Sequence, residues 1–304
     1  MYLCGVKNGI HRFIQILTWL GIMSVLTLLA MGVWIVVWHG SQSTESLKWL
    51  QFLQTIGTFL LPPILCAWIW DAGHKPFAWL KMDRGADWRT FVLAILIMVC
   101  AIPAINLLAD LNSRIVLPEA LRGLEEWMKA REDDAAALTE RFLAAGSVGG
   151  LLINIGLMAL LPAIAEELSF RGVLQGIFTH NPSPVTHNPS TPHLAIWVTA
   201  IIFSAIHMQF YGFVPRMLMG AMFGYVLVWT GSLWVPVVMH FTNNGLAVLA
   251  YYIWGAEEGE KSYADTIGAG TTWWLGLISL AVVIALLVFT YRGLPGYGRR
   301  THKE

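Results

Sequence analysis

Between Leu160 and Gly172 the sequence reads LLPAIAEELSFRG, an apolar stretch carrying two adjacent carboxylates and a guanidinium. An ionisable side chain in hydrocarbon costs roughly 2.5–3.5 kcal/mol even on lenient insertion scales, so it ordinarily faces a polar interior. On a helix, Glu167 and Arg171 stand four residues apart and can pair on one face. Glu166 is turned about 100° from Glu167, which leaves one carboxylate over for a cavity. Two later apolar stretches each add a histidine: His207 four residues after Phe203 in FSAIH, and His240 four before Asn244 in HFTNN. Each of these pairs can line one helix face. Together they fit an amide-hydrolysing site. Glu166 and a histidine would activate water, while His240 and Asn244 would donate hydrogen bonds to the developing oxyanion. By residue type, Glu166, His207 and His240 also fit a hydrolytic zinc site, although HExxH is absent. Ser169 and Ser204 lack the Asp/His surroundings and Ser-Gly turn of a nucleophile. The plainer alternative, a helix-packing salt bridge among Glu166, Glu167 and Arg171, leaves one carboxylate unexplained.

The elements that must position these residues are membrane helices. Of the 304 residues, 56% are hydrophobic and 12% charged, a balance that belongs to polytopic membrane proteins. The formal net charge is zero, so no basic surface points to nucleic acid. Fifteen tryptophans suit aromatic belts at two membrane interfaces. Cys4, Cys66 and Cys100 have neither CxxC nor metal-type spacing and read as small apolar residues. No small-residue cleavage site follows the first apolar run, so it is expected to be a retained span.

A spanning helix needs about 20 apolar residues. The hydropathy predicts an all-α bundle of about eight spans, near residues 13–38, 49–70, 90–109, 147–178, 194–210, 214–230, 233–254 and 272–291. Pro62-Pro63, Pro103 and Pro162 are expected to bend their helices. Gly220 and Gly224 form a small-xxx-small pattern suited to close packing. Residues 110–146, rich in Ala, Leu, Glu and Arg, predict an amphipathic helical insertion outside the bilayer, with Leu121, Leu124, Trp127, Met128, Leu138, Phe142 and Leu143 at helical spacing. The chain thus divides into spans 1–3 (1–109), the insertion (110–146), a core of spans 4–7 (147–254), and the last span with a basic tail (255–304). The loop THNPSPVTHNPSTPH, with His180, His187 and His193, reads as a turn-rich connection without a ligand pattern. Lys7, Arg12, the 71–89 loop and the tail fall on one side of eight spans. That bias predicts both termini in the cytoplasm and the insertion outside, in an inner or plasma membrane.

EELSFR, FSAIH and HFTNN, in order and inside hydrophobic segments, resemble the EExxxR, FxxxH and HxxxN/D motifs of the CPBP intramembrane proteases. These are the CAAX-protease and bacteriocin-processing enzymes, related to the type II CAAX prenyl endopeptidase. The resemblance covers about residues 150–250. It implies a membrane endopeptidase whose cavity opens to the cytoplasmic side, acting on a membrane-associated or lipidated protein or a leader peptide. In that likeness Glu166 is the water-activating glutamate and His207 its partner. His240 and Asn244 stabilise the oxyanion, and Glu167, Arg171 and Phe203 support them. The resemblance leaves the cofactor open between Zn2+, held by Glu166, His207 and His240, and no metal at all; Asn244 suits oxyanion donation better than zinc binding. Two other classes would use the same residues: a non-catalytic membrane scaffold or regulator, and a proton-coupled transporter. The transporter would favour duplicated halves, which the sequence does not show.

Overall fold

The computed structural model describes residues 2–71, 73, 75–144, 146–179, 191–255 and 266–293, with side chains from His11 onward except Thr191. Among the described residues the chain is helical, with no strand. In order come α1 (Tyr2–Trp38), α2 (Thr44–Trp70), α3 (Trp88–Ser113), α4 (Arg122–Leu143), α5 (Val148–Thr179), α6 (Thr191–Ala205), α7 (Phe213–Thr230), α8 (Trp234–Trp254) and α9 (Trp273–Gly293). Six described helices are long and apolar enough to cross a membrane: α1 from His11, α2, α3, α5, α7, and α9 with the turn before it. The other two expected spans are also helices. However, α6 is only 15 residues long, and the apolar run of α8 is interrupted by His240, Asn243 and Asn244.

Contacts between helix ends define two ends of the bundle. At one, which we call the α4 end, Arg141 donates to Thr44 Oγ1 at 2.9 Å and Lys48 Nζ to Asn154 Oδ1 at 2.7 Å. Asn112 Nδ2 donates to the Phe210 carbonyl there at 2.7 Å, and Asn106 Nδ2 to the Ile267 carbonyl at 3.0 Å. At the other, the loop end, the 71–87 connection is fastened to the start of α8. Leu233 N donates to the Lys81 carbonyl at 3.0 Å, Ser232 Oγ to Arg84 O at 2.6 Å and Trp234 Nε1 to Met82 O at 3.0 Å. Trp68 and Trp88 are exposed near the loop end, and Trp254, Trp273 and Trp274 near the other. That distribution suits two aromatic belts.

The prolines of α2 and α5 are accommodated by one shared device. In each helix a six-residue π-helical segment, Thr55–Leu60 or Ile155–Leu160, precedes a Leu-Pro step. Leu61 N and Leu161 N bond back five residues, to Ile56 and Gly156. A proline lacks the N–H and crowds the carbonyl four residues back, and a widened turn relieves that crowding. A third π segment, Leu168–Leu174, contains Arg171.

The expected close packing at Gly220 and Gly224 is present, and it exposes backbone as well as space. Arg171 Nη2 donates to the Gly220 carbonyl at 3.1 Å and Gln175 Nε2 to the Gly224 carbonyl at 3.2 Å, a two-rung ladder from α5 to α7. A Cβ at Gly220 would stand 3.1 Å from Arg171 Nη2 and 3.3 Å from Ala200 on α6. Gly220→Val is therefore expected to cost about 1–3 kcal/mol by overpacking, read as a lower melting temperature of the purified protein. Gly231, left-handed at φ +70°, ends α7 and turns the chain into α8.

One expectation needs correction. The fifth span was to run to Phe210 with His207 inside it; α6 instead stops at Ala205, and His207 lies in the following turn. The 110–146 insertion forms one long helix, α4, after a short turn at Glu119–Leu121. Of its apolar positions, Phe142 is buried, whereas Leu121, Leu124, Trp127 and Leu138 remain exposed. The expected turn-rich loop lies mostly outside the described residues, His180 and His187 among them. His193 is described, and its Nδ1 lies 2.8 Å from the Tyr225 hydroxyl.

Candidate active site

Four helices bring the three motifs together. Glu167 and Arg171 pair on α5 at 2.8 Å, both side chains fully shielded from solvent. The guanidinium also lies over the rings of Phe203, at 4.4 Å, and Phe223, at 5.3 Å. Cation–π contact and a backbone carbonyl thus complete the surroundings of a charge that could not be buried alone. Glu167 has a second partner: its Oε1 lies 2.9 Å from His240 Nδ1 on α8. Nothing in the spacing of the motifs announces that bond, which ties the supporting pair to the third motif.

Glu166 points elsewhere, as its turn on the helix requires. Its Oε2 is 3.9 Å from His207 Nε2 and 3.9 Å from His240 Nε2, and makes no direct hydrogen bond. A polar gap of that width is one that a water molecule bridges. Phe203 packs edge-on against both histidine rings, at 5.0 and 6.0 Å. His207 Nδ1 lies 2.7 Å from the Phe203 carbonyl at the end of α6. A carbonyl only accepts, so Nδ1 carries the proton and Nε2 presents a lone pair towards Glu166. Asn244 is half-buried on α8, with its Nδ2 3.4 Å from the Met158 carbonyl of α5. Ser169 Oγ and Ser204 Oγ donate to the carbonyls of Phe59 and Phe213, which occupies both hydroxyls.

The donor types at Glu166, His207 and His240 are those of a zinc site, but their spacing is not. Tetrahedral zinc with bonds of about 2.0–2.2 Å sets its ligand atoms ~3.4 Å apart, closer than the 3.9 Å found on both sides of Glu166. Among the described residues no group of three His, Cys, Asp or Glu side chains is placed to hold a metal ion. The arrangement does not fit the metal, and no step is derived through one.

One neighbour was overlooked in the sequence. Arg216, in the first turn of α7, donates to Gln209 Oε1 at 2.6 Å, within the turn that carries His207. Its charge acts on Glu166, His207 and Glu132 of α4. The signal that singled out Arg171, an arginine in an apolar run, applies equally to FVPRMLMG. The same turn is held from α4, where Glu132 Oε2 accepts from Tyr211 N at 3.3 Å and Trp127 packs on Phe210 at 5.5 Å.

Comparison with known proteins agrees with the motifs. Residues 148–246 match the family model described as type II CAAX prenyl endopeptidase Rce1-like. All three motifs lie in that segment, while α1 to α4 lie before it. Among curated proteins, the uncharacterized protein YpbD of Bacillus subtilis (strain 168) is 26% identical over 120 residues, covering 38% of this chain and 53% of that protein. The chain spans about half the length of the curated relative it matches. No solved structure matches. The resemblance to the CAAX-type intramembrane proteases therefore holds over the segment that carries the site, in a chain whose apolar helices are those of an integral membrane protein.

Proposed function

We propose, starting from a 148–246 segment that matches the type II CAAX prenyl endopeptidases, that this chain is an intramembrane endopeptidase. Its substrate is a membrane-associated protein or peptide, and Glu166 is its general base. One observation carries this: Glu166 Oε2 lacks a direct partner yet stands 3.9 Å from the Nε2 atoms of two histidines. A water bridging Glu166 and His207 would donate one hydrogen bond to the carboxylate and the other to the Nε2 lone pair, turning its own lone pair towards a peptide carbonyl. As its oxygen attacks the carbonyl carbon, Glu166 takes the first proton. The resulting oxyanion accepts from the Asn244 amide and from His240 Nε2–H. Glu167 Oε1, 2.9 Å from His240 Nδ1, holds that ring in place for the donation. When the C–N bond breaks, Glu166 returns its proton to the leaving amine. Water is the only co-reactant, and the products are a carboxylic acid and an amine.

The mechanism is a metal-free, glutamate-dependent one, and it accounts for each carboxylate separately. Glu167 organises Arg171 and His240; Glu166 does the chemistry. We place the protein in an inner or plasma membrane with both termini cytoplasmic, from the Lys/Arg bias of its loops.

The test compares membrane-peptide profiles of cells carrying the wild type with those of cells carrying Glu166→Ala at equal expression. Peptide termini that form only with the wild type are expected, and they identify the cleavage site as well. Identical profiles from two well-folded proteins would refute proteolysis and favour a binding role for the same pocket.

A further inference from the structure

Beside the site, Arg216 holds only neutral partners. Its Nη2 donates to Gln209 Oε1 at 2.6 Å and its Nη1 to the Gln209 carbonyl at 3.4 Å. Among the described residues it makes no ion pair, and its Nε has no acceptor. Arg171 shows what an arginine with a structural task looks like in this bundle. It is shielded from solvent, paired with Glu167, bonded to the Gly220 carbonyl and packed on two rings. Arg216 is instead partly exposed. The carboxylates whose charge reaches it, Glu132 and Glu166, both stand beyond ion-pair distance. By contrast, Arg114, Arg122, Lys129 and Arg131 each hold a carboxylate of their own segment.

Its place in the fold sharpens the question. Arg216 lies in the first turn of α7, where the helix presents the positive end of its dipole and Gly212 supplies no side-chain cap. A further positive charge there is unfavourable for the helix alone, whereas a bound anion would satisfy both. Gly212 also makes room for the guanidinium, since a Cβ there would stand 3.0 Å from Nη2. Gln209, which tethers it, belongs to the turn that carries His207. The charge of Arg216 acts on both Glu166 and His207, so a peptide lying across those two groups passes within its reach.

We propose that Arg216 is a substrate-binding residue that takes a carboxylate of the peptide, close to the bond that Glu166 hydrolyses. The proposal rests on the protease reading above and adds a specificity to it. A peptide offers a carboxylate from an Asp or Glu side chain or from a free C-terminus. Either one fits the planar fork of a guanidinium, and Nε with the remaining Nη protons is available to make those bonds. Gln209 holds the group in place without neutralising it.

The experiment offers the full-length protein in detergent a defined library of short synthetic peptides. Each is made with Asp or with Asn at its acidic positions, and with a C-terminal carboxylate or amide. Cleavage is followed by mass spectrometry, with Glu166→Ala as the blank. For the wild type, kcat/KM is expected to be at least about tenfold higher for an acidic form than for its amide twin, the size of a charge-assisted hydrogen bond. Which twin shows the preference tells a side-chain carboxylate from a C-terminal one. In Arg216→Gln that ratio should fall towards one. Arg216→Lys keeps the charge and loses the fork, so its ratio should lie between; it serves alone if Arg216→Gln folds poorly. Gln209→Ala removes the tether and not the charge, and should keep a preference for the acidic form. Equal cleavage of acidic and amide twins by the wild type overturns the carboxylate subsite and leaves proteolysis standing. A ratio unchanged in Arg216→Gln assigns the preference elsewhere and overturns the role of Arg216. A wild type that leaves the library as intact as Glu166→Ala does counts against the protease reading itself, and this inference falls with it.

Discussion

Glu166→Gln is expected to lower turnover of a cleaved peptide by at least about 10²–10⁴-fold, the range contributed by a positioned general base. The melting temperature of the purified protein should stay within error of the wild type. Both halves of that expectation come from the same geometry. The Glu166 Oε2 atom has no hydrogen-bond partner in the protein and stands 3.9 Å from each histidine, so replacing it with an amide of the same shape removes no folding contact. What it removes is the capacity to take a proton from water. A structural glutamate would behave in the opposite way, with stability falling and residual turnover following the folded fraction. Single-turnover cleavage and thermal unfolding on one preparation separate the two outcomes. Retention of substantial activity would sink the water-activating role. Transport coupled to protons would instead show in liposomes as solute flux driven by a pH gradient.

The carboxylates were legible in the sequence because hydrocarbon makes them improbable, and the i, i+4 spacing already paired Glu167 with Arg171. Hydropathy likewise marked the apolar segments between Phe13 and Tyr291, and the all-α bundle followed from their lengths. The end of α6 did not. FSAIHMQF continues apolar and meets no glycine or proline before Gly212, so nothing local marks a stop at Ala205. The stop has a tertiary cause that no window contains: α3 and α4 hold the turn through Asn112, Trp127 and Glu132. The bond from His240 to Glu167 was hidden for the same reason, since 73 residues separate them. Sequence spacing had joined His240 to Asn244 along one helix face. The fold adds the transverse bond, and that bond is what lets one histidine serve both the buried ion pair and the reacting carbonyl.

Arg171→Ala should be the most damaging change to folding, at about 3–5 kcal/mol, because it leaves a buried carboxylate without its countercharge. Glu167 has no solvent exposure, and losing the guanidinium also frees the Gly220 carbonyl and empties the space between Phe203 and Phe223. The expected observations are a lower folded yield after detergent extraction and a lower melting temperature. Removing both charges tests the cause. In Glu167→Gln/Arg171→Met the stranded charge is gone, and a buried pair replaced by apolar or neutral groups of similar volume is often close to neutral in stability. Folded yield should therefore recover in the double variant by more than additivity of the single changes allows. Turnover should not recover, since His240 has lost the carboxylate that holds its Nδ1. A double variant as unstable as Arg171→Ala would mean that packing around the guanidinium, and not the ion pair, sets the cost.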